Sequence, residues 1–129
     1  MENILVPMSP GEVLDKITIL EIKSERIQDE EKLVNVRREL AMLKETWAQS
    51  VNEDKTIRQL HVQLKEINEA LWDIEDAIRD EERSKNFTER FIELARNVYF
   101  TNDRRSRVKK ELNLHLGSEI IEEKSYQAY

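Results

Sequence analysis

Five cations and no acid stand between residues 104 and 110 (Arg104-Arg-Ser-Arg-Val-Lys-Lys110), in a chain of 129 residues whose formal charge is −6. A guanidinium in such a run can grip a carboxylate or a phosphate through two parallel N–H donors. The acidic chain as a whole repels a polyphosphate backbone, so the run is not expected to serve a nucleic acid. Cations near a helix C-terminus also suit the macrodipole, although this run begins too early for that to explain all of it. Its plainest use is a solvated helix face.

Other chemistries fail on residue type and spacing. The absence of cysteine removes disulfide frameworks, thiolate nucleophiles, Cys-based zinc sites and iron–sulfur clusters. Gly11 and Gly117, the only glycines, are too far apart for a phosphate-binding loop or a Rossmann turn, and there is no Gly-x-Ser-x-Gly elbow. His61 and His115 form no His-x-x-x-His or Glu-x-x-His pattern. Glu111 and His115 share a helix face at i, i+4, which reads as a surface pair rather than a metal site. Glu66 and Glu69 supply half of the four-carboxylate magnesium set of helical nucleoside-triphosphate pyrophosphohydrolases. No Glu-x-x-Asp follows them, since Glu12 to Asp15 lies upstream. Neither a metal nor a cofactor is expected.

Polar residues within apolar stripes are the stronger lead, because a buried charge is costly unless it is paired. Arg105 and Asn102 lie in or beside the apolar line of a C-terminal helix, with Lys109 one turn on and Tyr99 at the edge. On the preceding helix Glu75 and Asn68 edge the stripe, with His61 and Trp72 beside them, and on the first helix Ser24 falls on the stripe with Lys16 and Glu21 at its border. Gathered in a bundle, Arg105, Lys109, Asn102, Glu75, Glu21 and Tyr99 would form a pocket for a small anionic metabolite. The plainer expectation is that Arg105 pairs with Glu21 or Glu75 and fixes helix register. Trp47 and Trp72 are expected as packing anchors.

The elements that would position these residues are all helical. Ser9-Pro10-Gly11-Glu12 predicts a helix start, with Ser9 as N-cap, Pro10 at the first position and Glu12 completing a capping box. Val13, Ile17, Leu20 and Ile27 form the first stripe. Leu33, Val36, Leu40, Leu43 and Trp47 form a second, rotated by about 200° from the first, which places a turn near Gln28 to Glu31 where Asp29 can cap. A loop over 49–56 offers Asn52, Asp54 and Thr56 as caps for a long third helix with Ile57, Leu60, Leu64, Ile67, Leu71, Ile74 and Ile78 on one face. Ser84 to Thr88 breaks the chain again. Phe91, Leu94 and Val98 continue in register through Thr101 and Arg105 to Val108 and Leu112, with Gly117 as the stop. Register favours one helix here, whereas Thr101-Asn102-Asp103 has the residue types to cap a fifth.

Residues 2–8 are apolar enough to pack on the body or to add to a partner as an extended segment, and the tail over 118–129 should dock. Ile19 and Ile22 lie nearly opposite the first stripe, so that helix must be sandwiched, either by another part of the chain or by a second subunit. No basic leader and no stretch of roughly 18 apolar residues occurs, which predicts a soluble, cytoplasmic protein with no membrane span.

Pro10-Gly-Glu-Val-Leu-Asp-Lys-Ile-Thr-Ile-Leu-Glu-Ile-Lys-Ser-Glu-Arg-Ile27, Leu71-Trp-Asp-Ile-Glu-Asp-Ala-Ile-Arg79, Tyr99-Phe-Thr-Asn-Asp103 and Glu122-Glu-Lys-Ser-Tyr126 resemble a family of short bacterial proteins of unknown function. That resemblance covers nearly the whole chain, implies a stand-alone domain and carries no activity or site. A looser, fold-level likeness is to the all-helical chorismate mutases, through Leu14, Asp15 and Arg26. Those enzymes hold a dicarboxylate between helices with arginines, and the rest of their basic constellation has no match here.

The sequence thus predicts a single all-α domain over residues 1–129, a bundle of four or five amphipathic helices in antiparallel hairpins. The leading functional expectation is an interaction or scaffold protein that self-associates as a homodimer. The alternative is a small-anion binder or enzyme with an Arg/Lys/Glu pocket between helices.

Overall fold

The computed structural model describes residues 1–129 as four helices: α1 (Pro10–Arg26), α2 (Glu30–Ser50), α3 (Lys55–Arg83) and α4 (Glu89–His115). No strand is present, and no helix is long and apolar enough to cross a membrane.

Each helix begins on a residue whose side chain or backbone suits an N-terminus. Ser9 Oγ accepts the Glu12 amide at 3.2 Å, with Pro10 opening α1. Only this half of the capping box forms, because the Glu12 carboxylate is drawn across to Lys109 Nζ at 2.8 Å. Asp29 caps α2 by accepting from the Glu31 and Lys32 amides. Of the three candidates before α3 it is Asp54 that caps, accepting the Ile57 amide at 2.8 Å. Helices α3 and α4 end alike. The Asn86 amide reaches the Glu81 carbonyl around Lys85 at φ 57°, and the Ser118 amide reaches the Asn113 carbonyl around Gly117 at φ 64°.

Thr101-Asn102-Asp103 does not break α4. Thr101 is buried in line with Leu94 and Leu112, and that burial outweighs the local tendency of these residues to cap.

Helix α1 is the hub. It packs on α2, α3 and α4, whereas α2 meets only α1, and α3 pairs with α4. The core joins Leu14 and Ile17 of α1, Trp47 of α2, Ile57, Leu60 and Leu64 of α3, and Leu112 of α4. Burying each such Leu or Ile contributes about 1.5–3 kcal/mol. Leu14 rather than Val13 leads the stripe of α1, and Ile22 is buried as well. The sandwich expected around α1 is therefore built largely by the chain itself, with Ile19 left half-buried.

Helix α1 ends where Arg26 bonds Asp73 at 2.6 Å, well short of the end of α3 at Arg83. Beyond that level α3 and α4 continue as a two-helix arm, tipped by Phe87 against Phe91.

Of the two fates expected for residues 2–8, packing on the body is not the one seen: Ile4, Leu5 and Val6 are exposed. The tail does dock. Glu122 and Glu123 meet Lys109 and Lys110 at 3.3 and 3.4 Å. The Tyr129 ring packs on Tyr99 and Phe100, and its hydroxyl donates to Asp103. The basic run is thus partly neutralised from within the chain rather than simply solvated.

Candidate functional site

Gly11, Asp15, Thr18 and Ile22 recur at helical spacing and are all buried, so α1 carries a second, semi-polar face besides its apolar stripe. Arg105, Lys109 and Asn113 form the facing line on α4, one residue every fourth position. Asn113 Oδ1 accepts the Gly11 amide at 2.7 Å. Lys109 Nζ lies 2.8 Å from Glu12 and 3.8 Å from Asp15. Burial works against the ammonium charge of Lys109, yet the hydrogen bond to Glu12 and the charges of Asp15, Glu12 and Glu122 hold its pKa above the ordinary lysine value.

Asn68 of α3 closes this network. Its Nδ2 donates to Asp15 Oδ1 at 2.8 Å and to Thr18 Oγ1 at 2.9 Å, which fixes the amide with Oδ1 turned toward Arg105. Arg105 Nη1 donates to that oxygen at 3.4 Å, a long bond to a neutral acceptor.

Past this point α1, α3 and α4 leave an open groove of about 370 Å³. Ile19, Ile22, Leu71 and Trp72 give it an apolar floor, Asn68 and Arg105 stand at one end, and Glu75, Asp76 and Arg79 form the rim. Arg105 has no carboxylate partner. The expected register-fixing pair does not form, because the two acids proposed for it are engaged elsewhere. Glu75 Oε2 accepts from Arg79 Nε at 3.1 Å. Glu21 lies outside the groove, 2.7 Å from His61 Nε2 and 4.0 Å from Lys44 Nζ. Burial pushes the Glu21 carboxyl up, but the His61 hydrogen bond and the charges of His61, Lys44 and Lys65 outweigh it and leave the pKa lowered.

The residues singled out by sequence are thus only partly brought together. Arg105 and Glu75 share the groove, Lys109 lies one turn along α4 from Arg105, Asn102 is half-buried outside the groove, and Tyr99 belongs to the tail's aromatic contact. Trp47 is a core anchor whose indole N–H donates to Glu53 at 2.8 Å. Trp72 is not one: it is half-buried on the groove floor, with Arg26 5.8 Å from its ring centroid. His115 turns away from Glu111 and meets Asp54 at 2.8 Å. Leu14, Asp15 and Arg26 do not converge on one site, being respectively in the core, in the Asn68 network and paired with Asp73 and Glu69.

Asp15, Thr18 and Asn113 were missed as members of the polar network. Their signal was available: Gly11, Asp15, Thr18 and Ile22 step by four, three and four, a second stripe hidden because two of its members are polar.

Chemically the groove can hold an anion and apolar groups. Its only carboxylates stand on the rim, and no nucleophile with an oriented base lies beside Arg105. No three of the chain's histidine and carboxylate side chains converge where an ion would sit.

Neither a curated protein nor a solved structure matches the chain significantly. A family described as of unknown function, DUF6165, matches residues 4–129, and the chain belongs to that family.

Proposed function

We propose that this is an interaction protein whose groove beside Arg105 receives an extended apolar segment carrying a carboxylate. The observation that carries the reading is the state of Arg105: a half-buried guanidinium at the end of an apolar floor, bonded only to a neutral amide oxygen in a chain rich in acids. From Asn68 to Arg79 the groove follows α3 for about 16 Å at 1.5 Å per residue, which an extended chain covers in about five residues. It is open along one side, so a linear segment suits it better than a small molecule that needs most of its surface enclosed.

The test is selection of linear heptapeptides on the purified protein. Recovered binders should carry Asp or Glu next to two or three apolar residues and should lose binding to Arg105→Met, with tryptophan emission from Trp72 reporting occupancy. No enrichment, or binders indifferent to Arg105→Met, would sink the reading.

The same guanidinium favours a second reading, a small anionic metabolite with an apolar body. A thermal-shift panel of aromatic carboxylates, dicarboxylates and phosphates separates the two. A concentration-dependent shift that vanishes in Arg105→Met, without peptide binding, selects the metabolite.

A further inference from the structure

We infer that the segment received by the groove is residues 2–6 of a second copy of this chain, exchanged reciprocally in a twofold dimer. The inference rests on the docking reading above and names its occupant.

The first argument is what the chain leaves uncovered. Ile4, Leu5 and Val6 are 77%, 92% and 62% exposed, three consecutive large apolar residues in contact with water, while Ile19, Leu71 and Trp72 on the groove floor are only half-buried.

The second is shape. Pro7 biases Val6 toward an extended backbone, and Ser9 is itself extended at φ −70° and ψ 153°. The strand-like form the groove requires is therefore partly set in advance, which lowers the ordering cost of docking. Residues 2–6 extended span about 14 Å between their end Cα atoms, most of the length of the groove.

The third is charge. Glu2 is the only ionisable side chain in residues 2–8, and of the two cations lining the groove Arg79 is paired with Glu75 while Arg105 has no carboxylate. With Glu2 on Arg105, the apolar residues fall on the floor and Leu5 lies about 10 Å further along, level with Glu75.

Reach decides between the chain's own groove and a partner's. The segment leaves α1 at Ser9, beside Asn113, and the groove begins near Ile19, about 15 Å away along the helix. Folded straight back, the four steps from Ser9 to Leu5 extend about 14 Å, so Leu5 and Val6 would stop short of the floor of their own groove and, of the three apolar residues, Ile4 alone would reach it. A second copy faces no such limit, and reciprocal exchange buries both segments by the same contact.

The chain lacks cysteine, so a clean experiment follows: the full-length Leu5→Cys/Glu75→Cys variant, oxidised mildly and run without reductant. The expected product is a disulfide-linked dimer, with the two single variants linking to each other when mixed. A closed monomer would place the segment in its own groove, and no link would place it in neither; each result overturns the inference. Leu5→Asp, at a position too exposed to unfold the chain, should turn the dimer into a monomer in light scattering. Arg105→Met removes a charge-assisted bond from each of the two exchanged contacts and should raise the dimer dissociation constant by roughly a hundredfold to ten-thousandfold. Self-association unchanged by Leu5→Asp also overturns it. Should selected peptides bind in an Arg105-dependent way while the double variant forms no intermolecular disulfide, this inference fails and the docking reading stands. Should neither occur, both fail.

Discussion

Gly11 and Asn113 meet across 102 residues of sequence, the Gly11 amide donating to Asn113 Oδ1 at 2.7 Å where α1 begins. A Cβ on Gly11 would lie 2.6 Å from the Lys109 carbonyl oxygen and 2.9 Å from Asn113 Oδ1. Backbone cannot yield as a side-chain tip can, so Gly11→Ala should destabilise by about 2–3 kcal/mol in urea unfolding. Gly117→Ala is the control. Nothing lies within 4 Å of that position, and only its φ of 64° resists a side chain, for about 1 kcal/mol. Equal losses would show that the α1–α4 approach is not tight.

Asn68→Leu removes the amide that donates to both Asp15 and Thr18, and strands a buried carboxylate whose other neighbour, Lys109 Nζ, is 3.8 Å away. The expected loss is about 3 kcal/mol. Arg105→Met forfeits only a 3.4 Å bond and should cost under about 1 kcal/mol, which keeps it usable as a functional probe. Chemical denaturation of the two variants side by side checks the ranking, and a reversed order would place Arg105 in the structural network.

Lys85 holds the left-handed position that ends α3, with φ at 57° and no glycine to ease it. Lys85→Gly relieves about 1–2 kcal/mol of strain and returns part of it through a freer unfolded chain, for a net gain of about 0.5–1 kcal/mol. A fall in melting temperature would contradict this assignment.

Two groups set opposite pH limits. The folded carboxyl of Glu21 titrates below its ordinary value of 4.5, so its contribution is present above that pH and is lost as pH falls through the lowered value. Folded Lys109 titrates above its ordinary 10.5, so its contribution is full below that pH and is lost as pH rises through the raised value. Stability measured against pH should flatten on the acid limb in Glu21→Gln and on the alkaline limb in Lys109→Met. Limbs unaltered by these substitutions would assign the pH dependence to other groups.

Most of the fold was legible because it rests on local rules. Ser9-Pro10, Asp29, Asp54 and Gly117 mark helix ends by chemistry that acts within four residues, and the alternation from Ile57 to Ile78 needs only one helix to express it. The site was less legible because it depends on which polar group wins a given partner. Arg105 stands out in the sequence by its place on an apolar line, and the structure puts it at the end of the groove. Its pairing could not be read the same way, since Asn68 is held by Asp15 and Thr18 from another helix, and Glu75 is taken by Arg79 one turn away. Asn102 has the same composition-based credentials as Asn68 and stands outside the groove, a distinction set by helix rotation of less than a turn.

Helix α2 runs alongside α1 alone, and only its far end joins the rest of the protein, through Trp47 in the core. Its amides can therefore exchange with solvent deuterium through an opening that leaves α3 and α4 paired, so α2 should report a lower opening free energy than the α3–α4 pair. The protein would then unfold from its edge inward, losing the helix with one neighbour before the helix with three.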